Sequence, residues 1–123
     1  MASATTTLFD RLGGEQAISA AVSMFYDRVM ADPELRPLFD TSRLARLMRR
    51  QVQFFTQALG GPAIYQGASM KAAHRKHPIE PKHFQKVAHH LSAVLDDLNV
   101  PEALSREVLA QLAPLASEIV NTP

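Results

Sequence analysis

Residues 38–62, LFDTSRLARLMRRQVQFFTQALGGP, carry the clearest helical pattern in this chain. Apolar side chains recur there at intervals of three or four residues, which is the spacing of one helix face. The stripe comprises Leu44, Leu47, Met48, Gln51, Phe55 and Ala58. Thr41 or Ser42 can cap the start of this helix, and Gly60-Gly61-Pro62 should end it. The stretch therefore predicts a helix with one side in a core.

Helical patterns also dominate the sequence on both sides of this stretch. N-terminal to it they predict a short element, a long helix after Gly13-Gly14 and a short helix beginning near Pro33. C-terminal to it they predict a loop over residues 63–68, a short helix over residues 70–76, and helices that begin at Pro81 and Pro101. Pro114 should kink or divide the last of these. No stretch alternates as a strand does, so we predict an all-α fold in a single domain, residues 1–123, with residues 1–7 frayed.

Composition excludes several classes of protein. The chain has 123 residues, of which 46% are hydrophobic and 20% charged, and its net charge is +1. Such a balance gives no reason to expect nucleic acid or a membrane as a partner. The chain contains no cysteine, which excludes disulfides, thiolate zinc sites and iron–sulfur clusters. No apolar run approaches the length of a membrane span, and the first residues lack the pattern of a signal peptide. We therefore expect a cytoplasmic protein.

Three polar residues fall on predicted helix faces that are otherwise apolar. Gln51 lies seven residues from both Leu44 and Ala58, and Tyr26 lies four residues after Val22. Buried amides and phenols need hydrogen-bond partners. The two side chains could satisfy each other or a backbone carbonyl, or they could face a polar atom of a ligand in an apolar cavity. The third residue, His74, could be an ordinary core histidine or a metal ligand.

The other four histidines give weaker signals. His77 forms an H-x-x-H pair with His74, but no third zinc ligand lies nearby in the sequence. His83 is expected at the surface or at a helix cap. His89 and His90 are adjacent, so they point in different directions, and one of them should be solvated.

Several separated motifs together resemble the truncated haemoglobins (two-over-two globins) of group I. The stretches that carry the resemblance cover nearly the whole chain and comprise LFDRLGGEQAI, FYDRVMADPEL, LFDTSRLARLMRRQVQFFTQALGGP, YQGASMKAAH, HFQKVAHHL and VPEAL. Gly13-Gly14 and Gly60-Gly61 lie where that family ends its first and its distal helix. The family's haem-ligand position falls on His74, at the end of the segment MKAAH.

The resemblance implies a two-over-two helical sandwich around a non-covalent haem b. His74 would be the proximal iron ligand, with its second ring nitrogen donating to a backbone carbonyl. Phe39 would wedge the haem in place, and Tyr26 and Gln51 would hydrogen-bond oxygen. Other positions that match residues near the haem are Leu47, Phe54, Phe55, Tyr65, Met70, Ala73, Ile79, Phe84, Val87 and Leu91. Expected partners of the haem propionates are Arg46, Arg50, Tyr65 and Lys71.

The sequence also differs from some members of this family at positions near the haem. Leu47 stands where other globins carry a distal histidine, and Arg50 stands where some relatives place a second iron-binding histidine. Relatives that attach haem covalently use a histidine where this chain has Ala116. We therefore expect no histidine on the distal face of the iron. Val22, Phe25, Phe55 and Ala58 are expected to line an apolar path for small gases.

Two functions from different classes agree with this pocket. One is a nitric oxide dioxygenase, in which oxygen and nitric oxide give nitrate with electrons from an external reductase. The other is a protein that stores, delivers or senses oxygen without turnover. Both imply oxygen, nitric oxide and carbon monoxide as ligands. A helical domain without haem is a weaker third possibility, which a visible absorption spectrum would identify.

Overall fold

A computed structural model describes residues 7–39, 41–62, 69–75 and 78–121, except for the side chain of Ala73. Within these ranges all regular structure is helical. Seven α-helices follow one another: α1 (Leu8–Leu12), α2 (Glu15–Met30), α3 (Leu44–Ala58), α4 (Met70–His74), α5 (Pro81–Asp97), α6 (Glu102–Leu112) and α7 (Ala116–Ile119). Short 3-10 turns occupy Arg36–Leu38, Thr41–Arg43 and Ala113–Leu115. The all-α prediction is confirmed.

The core forms where α2 packs against both α3 and α5, and α5 packs against α6. The spacing of Ile18, Val22, Phe25, Tyr26 and Val29 predicts one face of α2, and all five are buried. Val29 and Val94 are completely inaccessible to solvent. Helix α1 packs on α2 and α6, and the short α4 packs against α7. No helix in the described ranges is both long enough and apolar enough to cross a bilayer.

Several helix ends agree with the sequence predictions and others do not. Pro81 occupies the first turn of α5, and Pro114 lies in the 3-10 turn that separates α6 from α7. The predicted cap of α3 is wrong, because the chain reaches that helix through a 3-10 turn and its N-cap residue is Arg43, whose side chain does not cap the helix. The region after Pro33 forms a turn and a 3-10 helix instead of a short α-helix, and α4 ends at His74.

His83 is buried, so the surface alternative for this residue is wrong and the cap alternative is confirmed. Its Nδ1 accepts a hydrogen bond of 2.9 Å from the backbone N–H of Glu80, at the start of α5. Of the adjacent pair, His89 is exposed and His90 is largely buried. Two further predictions lie outside the described residues: the loop over residues 63–68, and His77 as the second member of the H-x-x-H pair with His74.

The second glycine pair holds α1 against the end of α3. A Cβ atom at Gly61 would lie 2.6 Å from the ring of Phe9 and 2.7 Å from Cγ2 of Thr56, which is far inside van der Waals contact. The backbone N–H of Phe9 donates to Leu59 O at 2.9 Å in the same region. Glycine is therefore required at position 61 for space, whereas Gly14, with a φ of +82°, is required for its backbone conformation.

We expect Gly61→Ala to lower the free energy of unfolding by about 1–3 kcal/mol, because the added methyl group must displace the buried Phe9 ring. Chemical denaturation followed by circular dichroism measures this loss. Adding Phe9→Leu should recover part of it, since the smaller side chain makes room. Gly14→Ala, with no atom within 4 Å of the new Cβ, serves as the control for backbone strain alone. A strictly additive double variant would contradict the steric explanation.

Asp32, just after α2, is the centre of a polar network that the sequence did not predict. Its side chain is 5% exposed. Oδ1 accepts from Lys86 Nζ and from the backbone N–H of Glu34, each at 2.9 Å, and Oδ2 accepts from His90 Nε2 at 2.8 Å. His90 Nδ1 in turn accepts from Arg28 Nε at 3.3 Å. The network joins the end of α2 to the middle of α5.

These hydrogen bonds, above all the one from His90, hold the pKa of Asp32 well below its ordinary value. A lowered pKa in the folded state means that the carboxylate stabilises the protein above about pH 4, and that this stabilisation is lost as pH falls further. We therefore expect Asp32→Asn to lower the melting temperature at pH 7 and to lower it less at pH 3. Asp96→Asn, at an exposed position of α5, is the control. Equal losses at both pH values would contradict this assignment.

Candidate functional site

The long helices α2 and α3 bring together the two polar residues predicted to share a pocket. Tyr26 is only 3% exposed, and its hydroxyl oxygen and the Gln51 side chain form a hydrogen bond. Burial raises the pKa of Tyr26 well above its ordinary value, while the bond with Gln51 opposes that rise. The amide of Gln51 offers both an N–H donor and a carbonyl acceptor to the phenol. When the N–H donates to the phenol oxygen, the hydroxyl hydrogen of Tyr26 is left to donate to another group.

This arrangement agrees with both interpretations of the pair. Each polar group has a partner inside the protein, as a structural pair requires. The phenol nevertheless stays protonated at neutral pH and keeps a hydrogen for a ligand, as a binding pair requires.

Aromatic rings surround Tyr26. Its ring meets Phe25 edge to face at a centroid distance of 5.2 Å and meets Phe39 in the same way at 5.9 Å. Such contacts fix the orientation of a ring whose hydroxyl must point in one direction. Phe39 is half-buried and lies beside Tyr26.

A small apolar cavity lies between α1, α2, α3, α5 and α6, and Phe25, the sequence neighbour of Tyr26, is among the residues that line it. Its volume is about 30 Å³ and its lining is wholly apolar. Val22, Phe25 and Phe55 line it as predicted, whereas Ala58 does not. An apolar cavity of this size stays free of ordered water and can accept a molecule of two atoms.

His74 ends α4, which packs against α7. Its Nδ1 lies 2.7 Å from the backbone carbonyl oxygen of Met70. A carbonyl oxygen can only accept, so Nδ1 carries the hydrogen, and in the neutral ring Nε2 keeps its lone pair. Nε2 is therefore the atom that could bind a metal, and the second nitrogen is oriented by the carbonyl that the sequence could not specify.

Asn121 fixes the end of this short helix, and no pattern in the sequence pointed to it. Its Nδ2 donates to the backbone oxygen of His74 at 3.0 Å, and its Oδ1 accepts from the backbone N–H of Ile79 at 2.9 Å. Its own backbone N–H donates to Ile79 O at 3.0 Å. One side chain thus ties α4 to the segment that leads into α5.

The remaining candidate residues divide by exposure. Met70 and Ile79 are buried. Seven candidates are half-buried, and all of these except Arg50 are apolar: Leu47, Arg50, Phe54, Phe55, Phe84, Val87 and Leu91. Arg46 and Lys71 are exposed. Tyr65 and the side chain of Ala73 lie outside the part of the chain that the structure describes.

This donor set fits a haem. One imidazole nitrogen with a lone pair could hold the iron, and half-buried apolar side chains on α3 and α5 could cover a porphyrin. Arginine and lysine could pair with its carboxylates. Within the described ranges no three His, Asp or Glu side chains cluster in a way that could hold a bare metal ion.

Comparison with known proteins agrees with this geometry. The family model for bacterial-like globins matches residues 7–121. The group 1 truncated haemoglobin GlbN of Mycolicibacterium paratuberculosis is 43% identical over 115 residues, which cover 94% of this chain and 85% of that relative.

Solved structures give the same result. The Fe(III) form of truncated haemoglobin from Tetrahymena pyriformis superposes with a TM-score of 0.90 at 31% identity, covering 94% of this chain and 99% of that one. The group II truncated haemoglobin of Bacillus anthracis superposes with a TM-score of 0.87 at 36% identity, covering 97% and 99%. The two-over-two helical sandwich is thereby confirmed. The chain belongs to the bacterial-like globins, among the group 1 truncated haemoglobins, and is a haem protein that binds oxygen.

Proposed function

We propose that this protein is a nitric oxide dioxygenase, which converts nitric oxide and oxygen to nitrate. The reaction balances as one nitric oxide, one oxygen and one electron giving one nitrate ion. We assign the supply of the electron to an external reductase. We place the reaction in the cytoplasm, where thiols stay reduced, in keeping with a chain that has no cysteine.

The observation that carries this proposal is the buried Tyr26–Gln51 pair, whose phenol stays protonated because burial raises its pKa. The apolar cavity lined by Phe25 and Phe55 can hold a small uncharged gas. Tyr26 then donates a hydrogen bond to oxygen, and Gln51 holds the phenol in place through its own N–H. Hydrogen bonds to groups that develop charge contribute about 1.5–3 kcal/mol each in a dry site.

We assign His74 Nε2 as the proximal ligand of the iron. Haem, when bound, supplies reversible binding of diatomic gases and the change of iron oxidation state that the reaction uses. Met70 O holds the imidazole in the tautomer that leaves Nε2 free. The positions of Arg46, Arg50 and Lys71 suit them to pair with the haem propionates, and Tyr65 remains a further candidate.

A single-turnover experiment tests the proposal. The oxygenated protein is mixed rapidly with nitric oxide, without reductase, and nitrate is measured. We expect about one nitrate per haem, and continued turnover when a reductase and a nicotinamide are added. Gln51→Leu should lower the yield of nitrate per haem, whereas Gln53→Leu, at an exposed position of the same helix, should not. One nitrate per haem without continued turnover would instead indicate a protein that stores, delivers or senses oxygen.

The contacts of Asn121 predict that this residue positions the proximal histidine. We expect Asn121→Ala to speed haem loss by about 10- to 100-fold, the range typical of residues that orient metal ligands. Transfer of haem to an excess of apomyoglobin measures this rate, and the iron–histidine stretching frequency in the ferrous protein should shift with it.

Two further variants separate the contacts of Asn121. Asn121→Asp keeps the acceptor for Ile79 N–H but cannot donate to the His74 carbonyl, so it should reproduce the spectroscopic shift. Ser117→Ala removes a nearby hydrogen bond to Pro114 O that does not touch α4, and it should change neither readout. An unchanged stretching frequency in both Asn121 variants would show that the residue has no positioning role.

A further inference from the structure

The charges of this chain are strongly segregated although the net charge is only +1. Residues 1–40 hold three basic and six acidic residues, and residues 80–123 hold the same numbers. Residues 41–79 hold seven arginines and lysines and no aspartate or glutamate. A segment of charge +7 thus lies between two segments of charge −3 each. This middle segment contains α3 and α4, the helices that bear Gln51 and His74.

The structure places much of this positive charge on the outer side of α3. Arg46 and Arg49 are exposed, and Arg50 is half-buried. In the described part of the chain no carboxylate pairs with any of these three side chains. Two arginines elsewhere do have carboxylate partners: Arg11 pairs with Glu107 at 2.8 Å and Arg106 pairs with Glu102 at 2.7 Å. We name the side of α3 formed by Arg46, Arg49 and Arg50 the arginine face.

The cofactor accounts for only part of this charge. A haem brings two carboxylates, for which Arg46, Arg50 and Lys71 are the candidates named above. Arg49 has no partner among the described residues, and Arg75 is a further exposed cation at the end of α4. Unpaired charges of one sign on one side of a molecule steer an oppositely charged partner to that side.

We propose that the arginine face is the docking surface for an acidic one-electron carrier protein. This inference rests on the proposed dioxygenase function, which needs one electron per nitrate. Electron carriers form small, short-lived complexes, in which complementary charge raises the rate of encounter more than it raises affinity. The face lies on the same helix as the distal Gln51, so a carrier bound there stands close to the cofactor.

An anionic membrane would be attracted by the same charges, but α3 lacks the second feature that membrane binding requires. A helix that lies in a membrane surface presents an exposed apolar face. The apolar residues of α3, including Leu44, Leu47 and Phe55, pack against the protein core. An acidic protein, which needs only the charges, is therefore the better occupant.

Charge reversal at Arg49 tests the proposal, because this residue has no assigned role in haem binding. The ferric haem protein is mixed with photoreduced flavodoxin, a small acidic flavoprotein, and the second-order rate of haem reduction is measured at low and high salt. We expect Arg49→Glu to lower the low-salt rate by about 10-fold, and the difference to shrink at high salt, where charges are screened. Arg106→Glu, which changes the net charge equally on α6, should leave the rate nearly unchanged.

Three further measurements decide between explanations. Reduction by photoreduced lumiflavin, which is uncharged, should be the same in all three proteins. Equal slowing in both variants, or no slowing in either, would overturn the proposal. So would binding to phosphatidylglycerol vesicles that is lost in Arg49→Glu while the flavodoxin rate stays constant. Single-turnover nitrate formation needs no carrier, so its failure would reject the dioxygenase function separately from the docking surface.

Discussion

Replacing His74 with alanine is expected to abolish specific haem binding, or to speed haem loss by about 100-fold or more. His74 Nε2 is the ligand that we assign, and removing a metal ligand should cost more than the 10- to 100-fold typical of the residues that orient one. Haem transfer to apomyoglobin and the visible spectrum measure the effect. Stability should fall as well, because a ligand that binds only the folded state stabilises it.

Two controls distinguish lost ligation from a damaged fold. His74→Gly leaves a space at the ligand position, and added imidazole should restore the spectrum if His74 supplies the iron ligand. His89→Ala removes an exposed histidine of α5 and should leave haem binding unchanged. A His74→Ala protein with the spectrum and haem retention of the wild type would disprove the proximal assignment.

Loss of either distal hydrogen-bonding residue is expected to speed oxygen dissociation by about 5- to 150-fold, equivalent to about 1–3 kcal/mol. Tyr26→Phe removes the donor itself, and Gln51→Leu removes the amide that holds the phenol. Because the two side chains are hydrogen-bonded to each other, the double variant should deviate from the sum of the single effects. Stopped-flow displacement of oxygen by carbon monoxide measures each rate.

The raised pKa of Tyr26 adds a pH signature to this prediction. A phenol that stays protonated well above its ordinary pKa of about 10 keeps its hydrogen throughout the neutral range. The oxygen dissociation rate of the wild type should therefore be flat between about pH 6 and pH 9.

Gln53→Leu again serves as the matched control on α3. If both single variants kept the wild-type rate and lost only stability, the pair would be a structural feature of the core.

The sequence predicted those parts of the molecule that depend on periodicity. The stripes of α2 and α3, the proline at the start of α5 and the division at Pro114 all follow from local rules of helix geometry. The start of α3 could not be predicted from these rules. The chain enters this helix through a 3-10 turn over Thr41–Arg43 and not through a side-chain cap at Thr41 or Ser42. Local propensity cannot distinguish these two ways of entering a helix.

Contacts between residues that lie far apart along the chain could not be predicted from the sequence, for a different reason. Asp32 meets His90 across 58 positions, and Asn121 meets His74 across 47. Neither pair belongs to a repeating pattern, so only the tertiary fold shows that they touch. The partner of His74 Nδ1 is a backbone carbonyl. Every residue carries such a carbonyl, so the sequence does not show which one accepts the hydrogen bond. The pairing of Tyr26 with Gln51, in contrast, was expected because both residues interrupt apolar stripes.

The anchoring of α4 by Asn121 has a consequence for the order of events during protein synthesis. A helix of five residues closes too few hydrogen bonds to persist alone in water. Helices α1, α2 and α3 precede it and can pack early, whereas the side chain that fastens α4 is made 47 residues after His74. The proximal half of the site is therefore completed only when residue 121 has left the ribosome. Hydrogen exchange in the haem-free protein should accordingly show weaker protection in α4 than in α2.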